Sequence, residues 1–451
     1  MRNVWLFILA MTTLLMAQDK TLTLEECVQI ALENNANLKM ASTDVEIAGT
    51  QITASRSGFL PRVNMYLNGG YYIQGARNVR QDVPVGIDPE TGAWIYEEQQ
   101  IRQTQVQRDN YGAGVSLQQT IWDFGRTSNR VQQSKAYKDY YQHLLTDQVN
   151  MVVASVKEAY FQLLKSYELL DVYLQALEAS QDNLDYYQSM LDIGLTSKAE
   201  IYQAKVNVGT QKTSYIQQQN EVQFAKARLN RRLGWDTNRE INVEREDSSP
   251  LFPDYEFSKA VEIALEENER LKALDQEVKA QEYAIRAAKA RYMPSIGADV
   301  SYSRNNNDPA RVYSTQLDED FTATIGAQIN LNLFNGLADK AEIERQILTH
   351  ERQLENLKEQ RRILIANLKE YFLALEAYRD IININEENLK AYQENLRLQI
   401  EKRRVGSGTE LEVTQAQVEV VQAQEALVGA QYDAKIARAH LEAVLGIIHN
   451  N

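Results

Sequence analysis

The sequence predicts an α+β membrane protein made of two duplicated halves, with long coiled-coil helices joined to four β-strands per chain. Three observations predict it: one long alternating stretch, apolar heptads sustained over some 65 residues, and the recurrence of both in each half. In Phe321–Phe334, the residues Phe321, Ala323, Ile325, Ala327, Ile329, Leu331 and Leu333 fall on one face of a strand. Thr322, Thr324, Gly326, Gln328, Asn330 and Asn332 fall on the other, because successive side chains of a strand point to opposite faces. Sandwich strands are usually about 5–6 residues long, whereas a strand crossing a membrane needs roughly 9–11. By itself this stretch leaves a soluble sandwich and a membrane barrel both open.

The chain has 451 residues, enough for two or three ordinary domains. Its formal charge is −14 with no basic block, which argues against nucleic acid or anionic lipid as a partner. Gly and Pro are sparse, 20 and 7, as long helices require. The lone Cys27 allows no disulfide framework and reads as a small apolar side chain on a buried helical face. At the N-terminus, Arg2 precedes an apolar run from Val4 to Met16 and then Ala17, which predicts a signal peptide over residues 1–17. No later apolar run approaches the roughly 20 residues of a spanning helix.

The duplication is visible by sliding the chain over itself. At a shift of 233, Val28, Ile30, Ala31, Leu32, Glu33, Asn35 and Pro61 meet Val261, Ile263, Ala264, Leu265, Glu266, Asn268 and Pro294. At a shift of 212, Gly194, Glu200, Gln203, Ala204, Leu233 and Gly234 meet Gly406, Glu412, Gln415, Ala416, Leu445 and Gly446. The shifts of 233 and 212 differ by 21 residues, an insertion between Pro61 and Trp122, where a surface loop tolerates it. The expected halves are residues 18–240 and 241–451, each with a helix, a β-hairpin, a long helix and a return helix.

Each half reads alike. A helix is expected over Leu24–Ser57, capped by Thr23 with Glu26, and another over Ser258–Arg291, capped by Ser258. Pro61 and Pro294 stop them, since the residue before proline is pushed towards extended structure. Strands follow at once, with Val63, Met65 and Leu67 alternating with Asn64, Tyr66 and Asn68, and Ile296, Ala298 and Val300 with Gly297, Asp299 and Ser301. Gly75–Asn110 and Arg304–Asp320 are expected as polar loops, and return strands then run to Trp122 and Phe334, where an interfacial aromatic girdle would sit. Val149, Val156, Leu163, Leu170, Leu177, Leu184 and Leu191 then recur every seven residues. Ile347, Leu354, Leu368, Leu375, Ile382, Leu389 and Leu396 do the same, with Arg361 as an interruption. Sustained heptads mean helices packed along their length, here about 100 Å at 1.5 Å per residue.

Four strands cannot close a barrel, and open edges are not tolerated in lipid, so the strands demand oligomerisation. Three copies give twelve strands and two give eight. Catalysis finds no support. His143, His350, His440 and His449 are scattered without metal-ligand spacing, and no phosphate loop occurs. No catalytic residue, metal or cofactor is expected.

The duplicated T-L-x-E-C-V-x-I-A-L-E-N-N and A-V-E-I-A-L-E-E-N starts, the L-P and M-P junctions, and the W-D-F-G-R and F-N-G leads into the long helices come in this order, followed by the turns I-G-L-T-S-K-A-E-I-Y-Q-A-K-V and V-G-S-G-T-E-L-E-V-T-Q-A-Q-V. Together they resemble the TolC-like outer membrane efflux proteins of Gram-negative bacteria over essentially the whole mature length. The resemblance implies a homotrimer, a twelve-stranded barrel in outer membrane lipid and a helical barrel in the periplasm. It also implies docking onto a periplasmic adaptor protein and an inner membrane transporter. The adaptor would meet the hairpin tips at Gly194, Leu195, Thr196, Gly406, Ser407, Gly408 and Thr409. In the family the acid at the Glu412 position lines a periplasmic constriction and the Glu200 position helps latch it. Here the second constriction acid is replaced by Gln415, and the latch tyrosine and arginine by Arg403 and Gly408. Three copies of Glu412 around a narrow axis would repel one another, which is tolerable if Arg403 or Arg404, just before Gly406, compensates, or if the ring is wide and wet. The expected function is a passive export duct; the alternative is a periplasm-spanning tether whose barrel is closed.

Overall fold

The structure is a computed structural model that describes residues 21–245 and 251–446; the expected signal peptide at 1–17 lies outside the described residues. The chain forms two compact units, and each takes residues from both repeat halves. One comprises the chain up to Ala48, Ala136–Lys279 and the chain from Glu351 onwards; the other comprises Gly49–Lys135 and Ala280–His350.

The helices are α1 Leu24–Asn34, α2 Ala36–Arg56, α3 Arg126–Asp192 and α4 Lys198–Leu233 in the first half. In the second they are α5 Phe257–Glu267, α6 Glu269–Lys289, α7 Ala338–Arg404 and α8 Glu410–Leu445. Helices α3 and α7 each have 67 residues, and α4 and α8 each have 36. Among the described residues no helix is long and apolar enough to cross a membrane. The heptads form two cores in the helical unit. Val156, Tyr160 and Leu163 of α3 pack with Cys27 and Ala31 of α1 and with Leu229 and Leu233 of α4. Leu368 and Leu375 of α7 pack with Ala260 and Ala264 of α5 and with Leu441 and Leu445 of α8. Arg361 is exposed, while Leu357 and Leu364 carry the core past it. Burial pushes the Cys27 thiol up to about 12, with Glu26 and Glu25 adding to the effect, so it stays a thiol.

Two expectations need correcting here. The helix expected over Leu24–Ser57 breaks at Asn35, and its twin breaks at Asn268. Both asparagines adopt extended backbone, with ψ 125° and 113°. Each is a short side chain that satisfies the broken ends. Asn35 accepts from Asn37 N at 2.9 Å, and Asn268 from Leu271 N at 3.0 Å. Asn268 also donates to Val444 O at 2.8 Å, at the end of α8, and Asn35 to Arg232 O at 3.5 Å, at the end of α4. The return helices end against these breaks at Gly234 and Gly446, with φ +75° and +77°. A Cβ would stand 2.9 Å from Asn34 O at the first and 2.7 Å from Glu267 O at the second, so glycine is required on both counts. The second correction is the cap of α5. Thr23 caps α1 with Glu26 as expected, but Glu256, not Ser258, is the N-cap of α5, and Ser258 lies inside its first turn.

In the other unit a four-stranded antiparallel sheet has the order β1-β4-β5-β6. Its strands are β1 Arg62–Gln74, β4 Val106–Trp122, β5 Ser295–Asn306 and β6 Thr322–Asn330. Register sorts the two walls. Val63, Leu117, Val300 and Ile325 lie across one rung; Asn64, Ser116, Ser301 and Thr324 lie across the next. On the polar wall Gly112, Gly114 and Gly326 are covered from the neighbouring strand. A Cβ on Gly114 would stand 2.6 Å from the Tyr66 ring, so that ring occupies the space over it.

Three strand expectations also change. The strand expected to reach Phe334 ends at Asn330, whose partner is Ser295. The next partner would be Pro294, which has no N–H to donate, so the ladder stops. Gly75–Asn110 is not a loop. It holds β2 Arg77–Ile87 and β3 Trp94–Gln103, a two-stranded sheet of its own, and the return strand begins at Val106 rather than Tyr111. Asp88 builds the turn of this ribbon by accepting from Glu90 N at 2.9 Å, with Gly92 at φ +71°. The second loop contains a single helical turn, Pro309–Val312.

Candidate functional site

The site is the pair of turns joining α3 to α4 and α7 to α8. Both turns are built on the same backbone device. Gly194 and Gly406 each take φ +77°. Gly194 N donates to Leu191 O at 2.9 Å and Leu195 N to Met190 O at 2.8 Å; Gly406 N donates to Arg403 O at 3.0 Å and Ser407 N to Lys402 O at 2.9 Å. This pair of bonds satisfies carbonyls that a helix end leaves unpaired. Open space surrounds both glycines, so their left-handed backbone alone calls for glycine. Gly408 differs: a Cβ there would stand 2.9 Å from Arg403 N, against the last turn of α7.

The next helix in each turn starts with a reaching glutamate. Glu412 accepts from Thr409 N at 2.7 Å and Thr409 Oγ1 at 2.9 Å, and Glu412 N donates back to Thr409 Oγ1 at 3.4 Å. Glu200 accepts from Ser197 N at 3.1 Å and from the Thr196 hydroxyl. These bonds hold both carboxyls below their ordinary range. For Glu200 the Thr196 hydroxyl is the largest cause; for Glu412 it is the Thr409 backbone N–H. The match of Glu200 with Glu412 across the repeat therefore has a local cause, the capping of α4 and α8.

The interiors of the two turns differ. In the first, Leu184 and Leu191 pack on Tyr187, Ile201 and Ala204. In the second, Arg403 Nη1 lies 3.0 Å from Glu410 Oε2 and 2.6 Å from Asn183 Oδ1, with its guanidinium 5.0 Å from the Tyr186 ring centre. Asn183 Nδ2 donates to the other oxygen of Glu410, Tyr187 OH donates to Glu410 at 2.5 Å, and Thr414 Oγ1 does so at 3.2 Å. Burial first, and then Glu410, raise the Tyr187 hydroxyl, so it donates. Glu410 is 9% exposed, and each of its two oxygens accepts two hydrogen bonds, as a buried polar group requires.

The cluster ends a line of polar contacts between α3 and α8. Lys157 meets Glu442 at 2.9 Å, Lys165 meets Asp433 at 2.9 Å, and Tyr432 OH donates to Glu168 at 2.6 Å. The contact between hairpins thus carries a line of charged and polar pairs beside the apolar packing of Val428, Tyr432 and Ile436 on the α3 core.

Residues 27–235 and 260–447 match the family described as outer membrane efflux protein. The chain belongs to the outer membrane efflux protein family. It is similar to Outer membrane efflux protein BepC of Brucella suis biovar 1, with 23% identity over 419 residues, covering 92% of this chain and 83% of BepC. It is also similar to Outer membrane protein TolC of Salmonella enteritidis, with 21% identity over 440 residues, 94% of this chain and 82% of TolC. The crystal structure of CusC shares the fold, with a TM-score of 0.77 at 17% identity over 94% of this chain and 91% of that one.

In this outer membrane efflux protein the expected site residues separate into four groups. Gly194, Leu195, Thr196, Gly406, Ser407, Gly408 and Thr409 form the turns, and Leu195 is 67% exposed. Arg403 alone among the expected latch residues enters the polar cluster; Glu200 and Glu412 stay in their own helix starts. Arg404 is exposed and forms no ion pair among the described residues, and Gln415 is exposed, with Glu419 at 3.5 Å. Sequence reasoning missed Glu410, Asn183 and Tyr187. The signal was in the repeat: at the shift of 212, Leu191 and Lys198 of the first half become Arg403 and Glu410 in the second.

Proposed function

We propose that three copies of this chain close one twelve-stranded barrel in the outer membrane and form a passive exit duct rather than an enzyme. A periplasmic adaptor and an inner membrane transporter engage it at the tips. The observation that carries this reading is the pair of sheet edges. In the order β1-β4-β5-β6 every neighbour is antiparallel, so the edge strands β1 and β6 run in opposite directions. The β6 of one copy can therefore pair antiparallel with the β1 of the next, and repetition closes a ring without edges. The edges carry exposed apolar side chains on one face, among them Met65, Leu67, Ile325 and Ile329, as a lipid-facing wall requires.

The tip is then the gate. Arg403, Glu410 and Asn183 fasten the second hairpin to the first, and the ionic line above them makes that contact separable. Apolar side chains at the turns, Ile193, Leu195, Val405 and Leu411, stand 67–75% exposed and give an adaptor something to bury. Three Glu412 side chains around the axis would favour cations. The reading is tested by the mass of the folded protein in detergent together with its conductance in planar bilayers. A trimer with a small conductance, enlarged by Arg403→Ala, is expected; a monomer or dimer would defeat the barrel.

A further inference from the structure

We propose that the concavity at the base of the polar wall, lined by Arg62, Arg126 and Arg130, binds a small oxyanion of the phosphate-monoester class. The cavity is about 340 Å³ and lies where the sheet meets the first turns of α3. Its walls are polar: Gln118, Gln328 and Asn330 face it beside the three arginines. The basic charge in it is only partly offset. Among the described residues neither Arg62 nor Arg130 forms an ion pair, and Arg126 reaches Asp123 only at 3.9 Å. Asp123 accepts at Oδ2 from Thr127 N at 2.8 Å and from the Thr127 hydroxyl, and its single charge offsets the three arginines only in part. Arg126 Nε is buried with no hydrogen-bond partner, although buried polar groups are almost always paired. The other nearby charges do not fill the gap. Arg291 is paired with Asp339 at 3.4 Å, and Asp299 lies beyond Gln118 on the rung that starts at Arg62. Burial, followed by the like charges of Arg126 and Arg291, lowers the affinity of Arg130 for its proton. An anion seated between the guanidiniums would relieve that repulsion.

The chemistry selects the ligand class. Guanidinium groups present planar forks of N–H donors that match the oxygens of phosphate or carboxylate, and several together favour a doubly charged group. The side-chain amides supply further neutral donors. The site is complete within one chain, so it does not depend on the trimer. If the proposed duct is right, the polar wall is its lumen, and the site would engage anionic groups of passing solutes. The same oxyanion could also come from a phospholipid headgroup.

The test uses the full mature protein in detergent, titrated calorimetrically with inorganic phosphate, with its mass followed by light scattering on the same samples. Saturable binding of one phosphate per chain is expected. Arg130→Gln and Arg62→Gln should each weaken it about tenfold, Arg130→Lys should weaken it less, and Arg108→Gln, far along β4, should not change it. If phosphate does not bind, native mass spectrometry decides the other source: phosphatidylglycerol retained by wild type and lost from Arg130→Gln would make the oxyanion a headgroup. Affinity equal in all variants, or neither ligand held, would overturn the proposal. Intact binding by a monomer would leave the site standing and remove only the trimer.

Discussion

The two helical turns share one backbone and differ inside. Gly194 and Gly406 reverse the chain with the same two hydrogen bonds, and Glu200 and Glu412 cap the helices that follow. Where the first turn has Leu191 and Lys198, the second has Arg403 and Glu410. The first is sealed by its own apolar cluster; the second reaches across to Asn183 and Tyr187 of the first hairpin. What the halves keep in common makes the fold, and what they changed makes the contact between hairpins.

The comparison is broken most severely by Arg403→Ala, which strands the Glu410 carboxylate. Breaking a buried pair costs about 3–5 kcal/mol, and the loss should appear as a lower melting temperature of the folded protein. Removing both charges together, with Arg403→Leu and Glu410→Gln, should cost much less, because no buried charge is left alone. If the double variant melts as early as Arg403→Ala, the pair was not what held the cluster. Gly406→Val should cost about 1–2 kcal/mol, since a side chain is forced into a left-handed backbone while meeting nothing. Folded protein should still reach the membrane but export should fail. The same change at Gly194 should behave alike, and normal export in either would free the turns from docking.

The smallest effect concerns pH. Glu200 and Glu412 have carboxyls held low by their caps, so their contribution is present above the ordinary carboxylate range and fades as pH falls through their folded values. Acidifying to about pH 3 should lower the amide-exchange protection of Ser197 and Thr409, each measured against its intrinsic rate at that pH, by equal factors. Protection lost in only one turn would mean that the caps are not equivalent.

Much of the fold was legible because its signals are local. Leucine heptads marked α3 and α7, and glycines marked their ends and those of α4 and α8. Alternation gave the four strands of the sheet. The breaks at Asn35 and Asn268 were not read, because one extended residue leaves an amphipathic pattern almost unchanged. Their match across the repeat was the available sign. The β2–β3 ribbon was hidden by the polarity of both its faces. Arg304 ends the apolar wall of β5 yet is 4% exposed, donating to Ser314 O at 2.9 Å, a fold-back that alternation cannot show. The tip glycines and capping glutamates were found because the halves share them. Glu410 was missed because only the second half has it. The overall charge of −14 likewise concealed the cluster of Arg62, Arg126 and Arg130, which meets only in three dimensions.

The most direct test is single-channel conductance in planar bilayers for wild type, Arg403→Ala and Leu191→Ala. If the second turn holds the hairpins together, Arg403→Ala should raise conductance several-fold, while Leu191→Ala, which loosens the packing beside Tyr187 but removes no polar bond of the cluster, should change it far less. Equal conductance in all three, or an equal rise in both variants, would contradict the assignment of the lock to Arg403 and Glu410.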